Sequence, residues 1–346
     1  MKCRQGFLGL ACVLGVLVWV GLSVGPAWGA ERVKIRFAES WVFGGDHVGE
    51  FAALGKGWYA EEGAGIDISR GYGGADSYKR AAAGSVDIAR TSMLSAVLGR
   101  AAGAKVKGVQ ISMHTSPFGL AYLKGIGIEK PKDLEGRRVA IPSGSSVYQF
   151  WPAFAKVNGI DVKRVAIVHM SPAVLTASLA SHTVDASDSW LTSLPGFQAA
   201  VAQKGREVGH FLWSDYGLTV MYGAGFVASD DTIAKRPEMV QKFVRATARG
   251  IAWALQNPDA AVDIFMKYNA DRDRSIIAAQ WKYMKRLSVD EFFQKNGLGY
   301  IDPEKMARSI ELTDKYIGLK SPVKAEDVYT NEFIAKVPRE WRFPKF

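Results

Sequence analysis

Apolar and polar residues alternate with a period of two at Ile66, Asp67, Ile68 and Ser69, the pattern of a half-buried strand. Gly71, Gly73 and Gly74 then break it. Asp76 or Ser77 is placed to cap the next segment, SYKRAAAG, whose alanines favour a helix that Gly84 ends. Val86, Ile88 and Ala89 read as a second strand, and Thr91 with Ser92 opens a second helix. Strand, glycine-rich loop, helix, strand, loop, helix is a βαβ unit. It sets two loops at the same carboxyl edge of a parallel sheet, where small-molecule sites form. Upstream, Val33, Ile35 and Phe37 alternate with Lys34 and Arg36 as a first strand. It runs into a loop over 39–47 that holds Trp41, two glycines and His47, and a helix is predicted over 48–59.

Further strands are predicted over 106–112 and 120–124, separated by Ser116-Pro117-Phe118-Gly119. The strand, polar loop, helix pattern then returns. A strand over 139–141 stops at Pro142-Ser143-Gly144-Ser145-Ser146 before a helix over 147–157. A strand over 165–169 precedes a helix that ends at Ala180, and Val184-Asp185-Ala186 leads into Ser187-Asp188-Ser189-Trp190. Residues 218–227 read as a strand interrupted by small residues, a return crossing to the first part of the chain. Ser229 caps a long helix through Leu255, with Val240, Val244, Ile251 and Leu255 on one face. Helices over 258–268, 274–287 and 303–315 follow. No repeat is visible in the sequence itself.

This is an α/β pattern, and 346 residues with 48% hydrophobic and 23% charged side chains suffice for two cored domains. The first 30 residues stand apart. Lys2 and Arg4 precede an apolar run over 7–24, and Ala27-Trp28-Gly29 offers small residues at a signal-peptidase spacing. Cleavage near Gly29 or Ala30 is expected, and with it export to the periplasm. Both cysteines, Cys3 and Cys12, lie in this leader, so the exported chain would have no disulfide, thiol nucleophile or thiolate metal ligand. The formal charge of +10 falls to +8 without Lys2 and Arg4. The basic residues are scattered, which argues against nucleic-acid binding.

Enzyme signatures are poorly represented. The Gly-x-Ser-x-Gly match at 21–25 falls in the leader, and Gly71, Gly73 and Asp76 miss the dinucleotide fingerprint. His47, His114, His169, His182 and His210 have no metal-ligand spacing, and no HExxH, Walker A or EF-hand loop is present. No metal or cofactor is expected. His47 sits in a site loop, but a surface or helix-capping role is the stronger expectation.

Five short motifs in order resemble those of the solute-binding proteins for nitrate, sulfonates, taurine and thiamine pyrimidines. They are Lys56-Gly57-Trp58-Tyr59, Gly84-Ser85-Val86-Asp87, Leu134-Glu135-Gly136-Arg137-Arg138, Thr183-Val184-Asp185-Ala186 and Tyr329-Thr330-Asn331-Glu332-Phe333, and the glycine-rich loop joins them. The resemblance implies a two-lobe periplasmic-binding-protein clamshell with a two-strand hinge (type II). Lobe 1 would comprise 31–116 and 225–346, and lobe 2 117–224. It also implies a monomer that delivers solute to the permease of an ATP-driven importer. One branch of that family is a thiamine pyrimidine synthase, whose lysine and histidine places fall at Thr91 and Ser95 here, with no cysteine around 222–225 for its iron motif. A synthase-like enzyme or a ligand sensor on the same fold is the alternative function.

The ligand is expected between carboxyl-edge loops of both lobes. Lobe 1 would contribute Trp41, Gly74, Ala75, Asp76, Ser77, Thr91 and Ser92. Lobe 2 would contribute Ser143, Ser145, Ser146, Asp188 and Trp190. The tryptophans offer flat walls, the serines and helix N-termini offer donors, and Asp188 favours a zwitterion or protonated heterocycle over a simple anion.

Overall fold

The computed structural model describes residues 32–219 and 221–345, so the expected leader lies outside the described residues. Among these, no helix is long and apolar enough to cross a membrane. The strands are β1 (Val33–Ala38), β2 (Ala64–Ser69), β3 (Ile88–Ser92), β4 (Val106–Ile111), β5 (Gly119–Leu123), β6 (Arg138–Ala140), β7 (Ala166–Val168), β8 (Ala186–Asp188), β9 (Val208–Leu212) and β10 (Ala224–Ser229). The longer helices are α1 (Val48–Gly55), α2 (Gly74–Ala82), α3 (Met93–Ala101), α4 (Ser146–Val157), α5 (Leu194–Ala202), α6 (Pro237–Gln256), α7 (Pro258–Tyr268), α8 (Arg274–Ser288) and α9 (Pro303–Ile317).

Two mixed sheets of five strands result, in the orders β2-β1-β3-β10-β4 and β7-β6-β8-β5-β9. In each, three parallel strands are followed by an antiparallel pair. The fold is therefore an α/β clamshell of two lobes, each built round one sheet. A duplicated architecture underlies a chain whose sequence shows no repeat. Phe37, Phe226 and Phe243 pack the first core, with ring centroids 5.0 to 5.8 Å apart. Phe154 stacks on Trp213 at 4.6 Å in the second.

The crossings make an antiparallel ribbon, interrupted on its second segment by the 3-10 turn Trp213–Tyr216. β4 leads through residues 112–118 into β5, and β9 leads back into β10, so the two chain segments pair in both sheets. Between the sheets the amides of Ser112 and Met113 both donate to the Ala224 carbonyl at 2.9 Å, and that of Ser116 donates to Met221 at 3.0 Å. Gly223 is glycine because a Cβ there would lie 2.5 Å from the Thr115 carbonyl oxygen. Thr115 and His114 are also tied to Asp290, at 3.1 and 3.0 Å.

Local chemistry moves several predicted boundaries. The helix over 48–59 breaks at Gly57, whose φ of +75° is the left-handed conformation only glycine takes freely. The long helix after Ser229 is interrupted at Arg236, because Pro237 restarts it. Ser229 does cap, accepting from the Thr232 amide at 3.0 Å. α2 starts at Gly74, so Asp76 and Ser77 lie in its first turn rather than capping it. Thr91 remains in β3, and Ser92 alone caps α3. The return strand begins at Ala224, and β9 and α5 stand where no element is predicted.

The same carboxylate fork pins the parallel strands of both lobes. Asp87, just before β3, accepts from the Arg36 amide at 2.8 Å and from its guanidinium at 2.9 and 3.3 Å. Asp185, just before β8, accepts from the Arg138 amide at 2.8 Å and its guanidinium at 3.0 and 3.1 Å. Burial opposes the Asp185 charge, but the Arg138 bonds and a further one from His182 hold its carboxyl at about 2. This stabilisation is present above the unfolded value near ~4 and is lost as pH falls through about 2. Asp185→Asn should therefore cost roughly 1–3 kcal/mol in urea unfolding at pH 7 and close to nothing near ~pH 2. An equal deficit at both pH values would show that shape, not charge, matters at this position.

Candidate functional site

Because β1, β2 and β3 run parallel, as do β6, β7 and β8, the loops after them emerge at one edge of each sheet. A cavity of about 450 Å³ lies between these two sets of loops. Trp41, Asp46, Arg70 and Gly74 line it from the loops after β1 and β2, and Ser145, Ser146, Asp188 and Trp190 from those after β6 and β8. Trp41 is half-buried and packs against the apolar cluster of the second lobe that contains Leu175 and Phe197. Trp190 touches the cores of both lobes, its ring 6.0 Å from Phe118.

The lobe-2 donors are held by α4. Ser145 caps it by accepting from the Tyr148 amide at 2.9 Å, and the neighbouring Ser146 hydroxyl bonds Ser95 at 2.9 Å. Asp188 ends β8 and is only 3% exposed, yet its Oδ2 has no hydrogen-bond partner among the described residues. Burial pushes its carboxyl up to about 7, against the pull of a hydrogen bond from Ser145.

Six of the twelve expected residues do not line this cavity. The Ser77 hydroxyl is buried on the Glu39 and Gly73 carbonyls, at 3.3 and 3.1 Å. Thr91 donates to the Gly74 carbonyl at 2.8 Å. Ser92 caps α3, whose first amide, that of Met93, donates to Gly223 at 2.9 Å and so points at the crossing strands. The Ala75 amide is taken by the Gly144 carbonyl at 3.1 Å. Asp76 is half-buried in the first turn of α2, and Ser143 is exposed beside a separate surface hollow. For Ser77, Thr91, Ser92 and Ala75 the hydroxyl or amide meets backbone demand before any ligand.

The structure adds contributors that the chain pattern did not single out. Pro172 and Thr176 follow β7 at the same edge, and the strand rule alone would have located them. Phe43 and Arg70 likewise follow β1 and β2. Asp271, Arg272 and Asp273 come from the start of α8, which no strand announces; only tertiary packing brings them in.

Behind the first-lobe wall lies a buried charge cluster. His47 accepts the Gly44 amide on Nδ1 at 3.0 Å, leaving Nε2 3.3 Å from Glu39 and 3.6 Å from Asp46. Burial lowers His47 to about 4, so at neutral pH Nε2 carries the proton and faces the carboxylates. His47 is thus a buried loop-capping residue rather than a surface one. Arg90, wholly buried on β3, donates to the Asp46 carbonyl at 3.0 Å and lies 3.3, 3.7 and 3.9 Å from the carboxylates of Asp46, Glu39 and Glu50. Burial would lower Arg90, but those three carboxylates outweigh it. Burial raises Glu50 to about 7 despite Arg90, and burial raises Glu39 well above the usual carboxylate range with Glu50 adding to it. The cluster clamps the loop that carries Trp41 and Phe43 onto β3.

Curated relatives span nearly the whole chain. A riboflavin-binding protein, RibY, from Chloroflexus aurantiacus is 27% identical over 82% of this chain and 81% of its own length. A formylaminopyrimidine-binding protein from Halalkalibacterium halodurans is 22% identical over 94% and 99%. A 4-amino-5-hydroxymethyl-2-methylpyrimidine phosphate synthase from Legionella pneumophila is also similar, at 22% over 90% and 96%. Among solved structures, the alkanesulfonate-binding protein SsuA from Xanthomonas axonopodis pv. citri, bound to MOPS, superposes with a TM-score of 0.65 at 14% identity over 87% of this chain and 99% of that one. The family model described as NMT1/THI5 like matches residues 45–261, well over half of the sequence. The chain belongs to the NMT1/THI5 like family.

Proposed function

We propose that this chain is the solute-binding receptor of an ATP-driven importer. It captures a small organic or anionic solute between its lobes and delivers it to the permease. The observation that carries this reading is the cavity of about 450 Å³ walled by carboxyl-edge loops of both lobes. Its size falls within the ~300–1,000 Å³ usual for small-molecule sites. The binding-protein names of the relatives support the same role. The lobes divide as 31–116 with 225–346 and 117–224, and closure bends the ribbon near 116–119 and 222–225. The receptor works as a monomer in the periplasm after removal of its leader, and it catalyses no reaction. In support of that last point, Thr91 and Ser95, which fall at the synthase's lysine and histidine places, are spent on hydrogen bonds to Gly74, Ser146 and Gln149.

In the same reading Trp41 and Trp190 are flat walls, Ser145 and Ser146 are polar wall residues whose hydroxyls are bonded to Asp188 and Ser95, and Gly74 leaves room at the seam. When ionised, the unpartnered oxygen of Asp188 calls for a donor from the solute, since a buried acceptor left unsatisfied is costly. Arg70 on the wall suits an anionic or electron-rich tail, whereas Arg272 lies 3.6 Å from the Asp271 carboxylate. A flat nitrogen heterocycle with N–H groups, or an aminosulfonate, fits both ends.

Thermal shift against riboflavin, a formylaminopyrimidine, taurine and nitrate should single out one class. A ligand at 100 times its dissociation constant adds about 2.7 kcal/mol of stability. Turnover of the responding compound would favour the synthase-like alternative, and no response from any class would count against the cavity. With the responding compound, Trp41→Ala should weaken binding by roughly 1–3 kcal/mol in isothermal titration, the scale of burying one large side chain. Unchanged affinity would remove Trp41 from the site. Without ligand, Asp188→Asn should be more stable than the natural chain above pH 7, because the folded carboxyl titrates at about 7 and the unfolded one near ~4. The gain should shrink as pH falls toward ~4, where both states are protonated. Denaturant unfolding at the two extremes checks this, and a gap independent of pH would refute it.

A further inference from the structure

The two lobes meet directly at the inner end of the cavity, through backbone rather than through long side chains. The Ala75 amide of lobe 1 donates to the Gly144 carbonyl of lobe 2 at 3.1 Å. Beside it, Ser95 of α3 bonds the Ser146 hydroxyl at 2.9 Å and donates to Gln149 Oε1 at 2.6 Å, both on α4. Glycines make this approach possible. A Cβ on Gly74 would lie 2.3 Å from the Ser146 hydroxyl across the seam, and 3.0 and 3.1 Å from Thr91 and Ser95 in its own lobe. A Cβ on Gly73 would lie 2.1 Å from the Gly144 carbonyl oxygen. Nothing in the turn chemistry of α2 demands a glycine at position 74. It is the first residue of the helix and has no left-handed φ, so alanine would suit the helix better.

We propose that Gly74 and Ser146 form a closure gate: the missing side chain at 74 lets lobe 2 seat on lobe 1, and the residue there sets how far the cavity can shut. The proposal rests on the clamshell reading of the preceding section, and it concerns a contact that needs no identified solute. The Ser95, Ser146 and Gln149 bonds exist only when the gate is shut, so they are positioning contacts for the closed form. Burying a Cβ against the Ser146 hydroxyl either turns that side chain away, breaking its bond to Ser95, or opens the seam, whereas in lobe 1 the flanking hydroxyls need to give by only a few tenths of an ångström.

The test is the rate of cross-lobe disulfide formation in the full chain carrying Ser95→Cys and Ser146→Cys, with the new bond identified by peptide mapping. The two hydroxyls are 2.9 Å apart, a separation that small movements convert into a disulfide. The rate reports how often the seam shuts, with no solute added. Adding Gly74→Ala should slow it by about tenfold or more, the population change expected from overpacking a tight contact. Thermal unfolding of Gly74→Ala alone should show a melting temperature equal to or above that of the natural chain. If that variant folds poorly, Gly144→Val probes the gate from lobe 2, where a Cβ meets the Tyr72 carbonyl at 3.2 Å, and it should slow the reaction likewise. Equal rates with and without these substitutions would overturn the gate and leave the receptor reading intact. No disulfide even with Gly74 present would overturn both the seam and the bending of the lobes onto each other.

Discussion

One antiparallel ribbon holds this molecule together. Its two segments pair as β4 with β10 in the first sheet and as β5 with β9 in the second, and hydrogen bonds at Ser112, Met113 and Ser116 continue the pairing between them. Each sheet then adds three parallel strands beside its share of the ribbon. A shared ribbon leaves the lobes little freedom to slide or separate, while a bend in its middle alters the space between them. The loops that follow β1, β2, β6, β7 and β8 must therefore look at one another across a gap. The cavity follows from this topology before any of its side chains is chosen.

Charge is distributed accordingly. The strand-pinning carboxylates, Asp87 and Asp185, sit where guanidinium forks can saturate them, and they are held ionised. The carboxylates near the cavity are treated in the opposite way. Glu39 and Glu50 are buried round a single arginine, and burial pushes them toward the protonated form. Asp188 keeps one oxygen unanswered. Such groups are costly unless something else uses them, which separates the part of the molecule built for stability from the part built around a guest.

Much of this could be read from the chain. The period-two alternation at Ile66 and Ile68 and at Val33, Ile35 and Phe37 marks real strands, and the residues just beyond such strands include Trp41, Ser145, Asp188 and Trp190 at the cavity. The failures have physical causes. Ser77, Thr91 and Ser92 have the right chemistry in the right loops, but backbone groups nearer by claim their hydroxyls. β9, Val208–Leu212, carries His210 and Gly209 among its apolar residues, and a strand covered mainly by its ribbon partner gives a weak periodic signal. Helix breaks at Gly57 and Pro237 concern single residues, which periodicity over a longer window averages away. The α8 contribution at 271–273 comes from a helix far along the chain and is set by packing alone.

The ribbon also imposes an order on how the molecule can be assembled. All five strands of the second sheet lie within residues 119–212, an unbroken stretch of chain. The first sheet instead waits for β10, which enters between β3 and β4 and is not complete until Ser229. A chain emerging from its amino end therefore holds β1 to β4 with one interior strand missing while the later sheet is being made. The first sheet is therefore the later one to have all its strands in chain order, and until β10 is added the edges of β3 and β4 that receive it are open to any other strand that can pair with them.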